Sequence, residues 1–171
     1  MRSLLWALLS LWASCFATFD AVALDDAYQR AFARELRFII GKHPKYLWGG
    51  AEDLTKGLDC SGYVYLAGKW AGVPGITRTT AYRMSLGLDG WIGADILPEQ
   101  ARDCDLSFWT RKSSPVRING HVGVFLTNQG ELQVSHASSR EGVVLAPIRG
   151  ALRSDLSKAR RLTIGDYSGA H

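Results

Sequence analysis

The chain has only three cysteines in 171 residues, Cys15, Cys60 and Cys104. That is too few for a disulfide scaffold, and a domain of this size needs no staple. It also lacks any CxxC or HxxxH pair, the close ligand spacing most zinc sites use. No dense Lys/Arg run occurs and the formal net charge is +4. This mildly basic balance suits an anionic surface such as a cell wall and argues against nucleic acid as a partner. "ARRL" at 159–162 reads as an ordinary solvated patch. No repeat or low-complexity tract is present, and no apolar run is long enough to span a membrane comfortably. The chain has 47% apolar and 21% charged residues. That composition is ordinary for a globular protein, and the length suits one domain.

The N-terminus has its own character. Arg2 precedes "LLWALLSLWASCFA", and Ala21-Val22-Ala23 makes a small-x-small site, the layout of a secretory signal over residues 1–23. A buried N-terminal helix and lipid attachment at Cys15 are the lesser alternatives. Export implies a periplasmic, cell-envelope or secreted protein, and a mature domain over 24–171 with two cysteines in a disulfide-permissive compartment.

"LDDAYQRAFARELRFIIGKHP" predicts an amphipathic helix capped at Asp25 or Asp26, with Tyr28, Phe32, Leu36 and Ile39 on one stripe. A glycine-rich connection follows over 45–57. "CSGYVYLAGKWAG" predicts a buried helix with Asp59 near its N-cap, ending at Gly72 and Pro74; its β-branched and aromatic content leaves a strand as the competing reading. "RTTAYRMSLGL" predicts a short helix capped by Thr79. Beyond residue 100 the period becomes two, with strands expected at 105–109, 121–127, 131–137 and 142–148. Helices first and antiparallel strands after predict an α+β fold, with the helices packed on one face of the sheet.

Among the four histidines, His121 and His136 fall in two successive predicted strands joined at "TNQG". A two-residue loop at Asn128-Gln129 sets His121 opposite His136. A three-residue loop sets His136 opposite Val122 and turns the imidazoles to opposite faces. Both registers pair apolar residues well. Cys60 at a helix N-terminus fits a thiolate nucleophile, because unpaired N–H groups favour negative charge there. His121 would then take its proton and His136 would orient His121. The Cys60 N–H is a candidate oxyanion donor. The bland readings are a buried small hydrophobe, a Cys60–Cys104 disulfide, or a Cys/His/His zinc site. Trp48, Trp70, Trp91 and Trp109 read as core or rim packing.

The segments "YLWGG", "LDCSGYV", "TRTT", "DLSFW", "GHVGVFL" and "HAS", in that order, resemble the NlpC family of papain-like cysteine peptidases, bacterial enzymes that cut cell-wall peptides. The resemblance runs from about Tyr46 to Ile148. It implies Cys60 as nucleophile, His121 as general base and His136 as the third polar residue. It further implies Tyr46 beside the nucleophile as an oxyanion or substrate-amine partner. Asp59 and Ser61 would line the substrate groove, with Arg78 and Thr79 near the site. The implied substrate is a peptidoglycan stem peptide, cut between D-glutamate and a diamino acid, with no cofactor or metal. A non-catalytic binding module and an acyltransferase or amidase on the same scaffold are the competing functions. An inhibitor protein is a partner on which the sequence is silent. One departure is Cys104, where the family usually has glycine.

Overall fold

The computed structural model describes residues 22–23, 26–110 and 118–164. The apolar leader and Cys15 lie outside the described residues. Strand β1 (Val22–Ala23) precedes helix α1 (Asp26–Lys42), then helices α2 (Cys60–Trp70) and α3 (Ala81–Ser85). Strands β2 (Gly93–Ile96), β3 (Leu106–Trp109), β4 (His121–Asn128), β5 (Glu131–Ser138) and β6 (Gly142–Pro147) follow. A one-turn helix α4 (Ala151–Ser154) and strand β7 (Leu156–Ile164) complete the order. The sheet runs β1-β7-β3-β4-β5-β6, with β2 also paired to β7, and every pairing is antiparallel. The fold is α+β, with its main helices ahead of the sheet.

The stripe on α1 buries Phe32, Leu36 and Ile39 completely, and Tyr28 packs at its edge. Helix α2 settles the helix-or-strand ambiguity. Asp59 caps it, its side chain accepting from Gly62 N–H at 2.6 Å. At the far end Gly72, at φ 74°, closes it in the left-handed region glycine favours, and Val73 N–H reaches back to Gly68 O. Because α2 lies between α1 and strands β4 and β5, it is buried nearly all round. Val122, Val124 and Leu126 of β4 point toward the helices. The alternate residues His121, Gly123 and Phe125 point to the other face, where Trp109, Phe125, Val134 and Ala159 form a second apolar cluster.

Three expectations change. The β4–β5 loop is Gln129-Gly130, so Asn128 pairs with Glu131 and Gly123 with His136. Both loop residues have positive φ, 50° and 81°, the primed hairpin turn that matches strand twist. Neither register considered from the sequence occurs, because Gln129 adopts a conformation its residue type does not advertise. Helix α3 is capped by Thr80, whose hydroxyl accepts from Arg83 N–H at 3.3 Å, while the Thr79 hydroxyl instead donates to Asp89 at 2.5 Å. "ARRL" is not a solvated patch but part of β7. There Arg160 is buried against Ser85 O and Asp95, and Arg161 grips Asp105 with two bonds of 3.0 and 2.8 Å.

Asp105 is 2% exposed and its ion pair ties β7 to the turn before β3. Asp105→Ala strands a half-buried guanidinium, so a loss of about 3 kcal/mol is expected, read as a lower denaturant midpoint with unchanged slope.

Candidate active site

A cleft of about 440 Å³ opens where the N-terminus of α2 meets the start of β4. Cys60, Tyr46, His121 and His136 all line it, together with Trp48 and Trp109. Cys60 is the first residue of α2, so its N–H has no acceptor within the helix. The Val122 N–H also points at its sulfur.

The two histidines are diagonal neighbours rather than opposed ones. His136 faces Gly123, and the missing side chain at 123 lets the imidazole lean toward His121, two residues along the same face. Nε2 of His121 and Nδ1 of His136 lie 2.8 Å apart, with the rings edge to face. If His121 is to accept a proton at Nδ1, its Nε2–H must donate to His136, which then carries its own proton on Nε2. Trp109, directly paired with His121 across the β3–β4 ladder, lies 5.4 Å from the His121 ring and 6.2 Å from that of His136. Its Nε1–H is fixed on Leu152 O at 2.7 Å. Among the described residues no three His, Cys, Asp or Glu side chains are placed to hold a metal ion.

Residues 42–161 match the NlpC/P60 family. The chain belongs to that family. Its fold is similar to an NLP/P60 protein of Staphylococcus aureus subsp. aureus Mu50 described as similar to lipoprotein. That match has 22% identity and TM-score 0.63, over 83% of this chain and 43% of the other. It is also similar to the NlpC/P60 domain of the peptidoglycan hydrolase SagA, with 26% identity and TM-score 0.53, over 78% of this chain and 98% of that domain. A Bacillus cereus ATCC 10987 family member aligns at 19% identity and TM-score 0.62, over 79% of this chain and 40% of its own. The chain thus spans less than half of two of these relatives. No curated relative matches it.

In this NlpC/P60 chain the other expected site residues, Asp59, Ser61, Arg78 and Thr79, do not line this cleft. Asp59 and Ser61 are 7% and 5% exposed. Asp59 Oδ1 accepts from Gly62 N–H and from the Ser61 hydroxyl at 2.9 Å. Its Oδ2 accepts from Gly49 N–H at 2.9 Å and from Arg78 at 2.7 Å. Arg78 also donates to Ser61 Oγ at 2.8 Å and lines a second, smaller cleft with the 47–57 connection. Thr79 touches neither cleft and holds Asp89. The sequence reading passed over Trp109 as packing, although its place opposite His121 follows once the β3–β4 register is known.

Burial governs the charges. Desolvation pushes the Cys60 thiol up, outweighing the N–H groups that pull it down. The helix N-terminus therefore does not by itself produce a thiolate, contrary to the expectation from sequence. Desolvation, then the neighbouring His136, lowers His121 to about 3, and desolvation lowers His136 too, against an opposing pull from Glu141. Thiol and imidazoles rest neutral near pH 7.

Two outcomes follow. Unfolded His121 takes up a proton below about 6.5 and the folded one not until about 3. The unfolded chain thus binds more protons in that window, and stability is lost as pH falls through it, by up to about 2 kcal/mol between pH 6.5 and pH 5. His121→Asn should show a shallower loss of Tm over the same range. In Gly123→Ala a new Cβ would stand 2.7 Å from Ser135 O and 3.1 Å from the His136 Cβ. A cost of about 2 kcal/mol in denaturant unfolding is expected from this overpacking.

Proposed function

We propose that the protein is an exported cysteine endopeptidase that hydrolyses peptidoglycan stem peptides. The bond cut joins D-glutamate to a diamino acid, and residues 24–171 form the catalytic domain. The observation that carries this reading is the 2.8 Å His121–His136 hydrogen bond in the cleft onto which Cys60 opens. Membership of the NlpC/P60 family and the likeness to the SagA hydrolase domain support it.

Cys60 Sγ attacks the scissile carbonyl as its proton passes to His121 Nδ1. The C–S bond forms and the carbonyl electron pair moves to oxygen. His136 accepts the His121 Nε2–H throughout and so stabilises the imidazolium. The oxyanion is met by the unpaired Cys60 N–H and the Tyr46 hydroxyl. Collapse breaks the C–N bond, and the proton on His121 goes to the departing amine. Water, deprotonated by His121, then hydrolyses the thioester and returns the proton to sulfur. Because both partners rest neutral, the ion pair forms only together with substrate.

Asp59, Ser61, Arg78 and Thr79 act in this scheme by fixing the edge of the groove and the start of α2. Residues 1–23 act as the export signal, toward the periplasm or cell envelope. Cleavage after Ala23 would remove β1 from its pairing with β7. Among the described residues no helix is long and apolar enough to cross a membrane.

Cys60→Ala should abolish release of products from purified stem peptides, followed by mass spectrometry, with the circular dichroism spectrum unchanged. Hydrolysis retained by the folded variant would remove Cys60 from the mechanism.

A further inference from the structure

Tyr63 and Ser135 are both fully buried, and their hydroxyls hydrogen-bond to each other between α2 and β5. Among the described residues this is the one hydrogen bond between a side chain of α2 and a side chain of the sheet. The layer around it is apolar: Val64 and Ala67 of the helix share the core with Val122, Val124, Ala137 and Val143 of the strands. Leu36 O of α1 lies 3.5 Å from the Tyr63 hydroxyl oxygen. Directing the Tyr63 O–H there leaves the Ser135 O–H to donate to Tyr63, so both protons find an acceptor. Two hydroxyls paired in such a layer add little net stability over a well-packed apolar pair. Stability alone therefore does not account for them.

The two residues stand next to the chemistry without touching it. Tyr63 follows Cys60 by three positions, one turn along the same side of α2. Ser135 precedes His136, and successive strand residues point to opposite faces. Ser135 thus looks at the helix while His136 looks at His121. The bond joins the helix turn that carries the sulfur to the strand that carries the second imidazole. The Asp59 bonds do not do this, since they tie the start of α2 to Gly49 and Arg78, outside the sheet. The Val122 N–H does reach the Cys60 sulfur, but sulfur is a weak acceptor. Apolar packing is non-directional, and cores lose uniqueness before they lose stability. A directional bond across the layer sets where α2 stops against β5.

We propose that the Tyr63–Ser135 hydrogen bond is a positioning contact that sets the reach from Cys60 Sγ to His121. This rests on the reading of Cys60 as the nucleophile. Neither residue touches substrate; both act through the elements that carry Cys60 and His136.

The test compares the wild type with Tyr63→Phe, Ser135→Ala and the double variant. Each single change leaves one buried hydroxyl without its partner and lowers stability. The double variant removes both polar groups and should unfold near the wild-type Tm. A purely structural role predicts that activity returns with stability in the double variant. The positioning role predicts that it does not. There kcat on purified stem peptides should fall about tenfold with KM within about twofold of wild type, because misplacing a reacting group by about 1 Å costs up to about a hundredfold. A folded double variant with wild-type kcat overturns the assignment. Tyr63→Phe, which removes one oxygen, is read the same way if the double variant does not fold. Alkylation of Cys60 by iodoacetamide at neutral pH, followed by mass spectrometry, separates this claim from the peptidase reading. It too should be about tenfold slower in the double variant. If the wild type cleaves stem peptides, kcat decides. If it cleaves none, the alkylation rate decides: slowing keeps the positioning role while the peptidase reading fails, and equal rates, or a Cys60 inert in both proteins, overturn the role.

Discussion

The Asp59 carboxylate is the point on which the rest of the site depends. Its two oxygens receive four donors from three separate stretches of chain: Gly49 from the glycine connection, Ser61 and Gly62 from the first turn of α2, and Arg78 from the segment before α3. One buried charge thereby caps the helix, fixes the loop that carries Tyr46 and Trp48, and anchors the strip leading to Thr79. Each bond is of ordinary strength. Together they satisfy a group whose burial without partners would cost several kcal/mol. Cys60 follows Asp59 directly, so the position of its sulfur is set by this knot.

Helix α2 was legible because three independent signals agreed: a cap residue, apolar groups at helical spacing, and a glycine stop. The same signals put Cys60 at the helix start. The strands bearing His121 and His136 were legible from their period of two. Their register was not, because it turned on Gln129 accepting a positive φ that sequence statistics assign to Asn or Gly. Strand β7 was missed for a related reason. Two adjacent arginines look solvated on paper, but in a strand they point to opposite faces. Each finds its own aspartate, Asp95 or Asp105, both distant in sequence. Asp59 and Ser61, expected along the groove, spend their side chains on hydrogen bonds inside the protein, with Asp59 capping α2.

Gly123 shows how the sheet itself builds the dyad. Directly opposed histidines would meet at a spacing fixed by the ladder. A diagonal pair across a glycine has room to turn, and the rings settle edge to face at 5.0 Å with a nitrogen-to-nitrogen bond. Trp109 then covers both rings from the neighbouring strand. The same covering that orients the histidines also dehydrates them, which is why His121 resists protonation. Orientation and depressed basicity are two results of one packing arrangement.

The two free thiols carry this argument to its end. Cys104 stands where the family usually has glycine, and the reason for glycine is visible in its φ of 71°, a conformation that costs a residue with a side chain roughly 1 kcal/mol. Cys104 is 3% exposed, and its thiol donates to Gln29 O at 3.2 Å and is pushed up to about 12 by burial and two flanking aspartates. Cys60 is almost as buried and its thiol is also raised. Exposure and resting acidity therefore do not separate them. What separates them is what each sulfur faces. Cys104 meets the Gln29 carbonyl and two flanking carboxylates, only partly offset by Arg37 and the Ala33 N–H, and it lines neither cleft. Cys60 has the Val122, Ser61 and its own N–H beside its sulfur, against the opposing Asp59 charge, and it opens on the cleft that holds both imidazoles, the arrangement the proposed proton transfer needs.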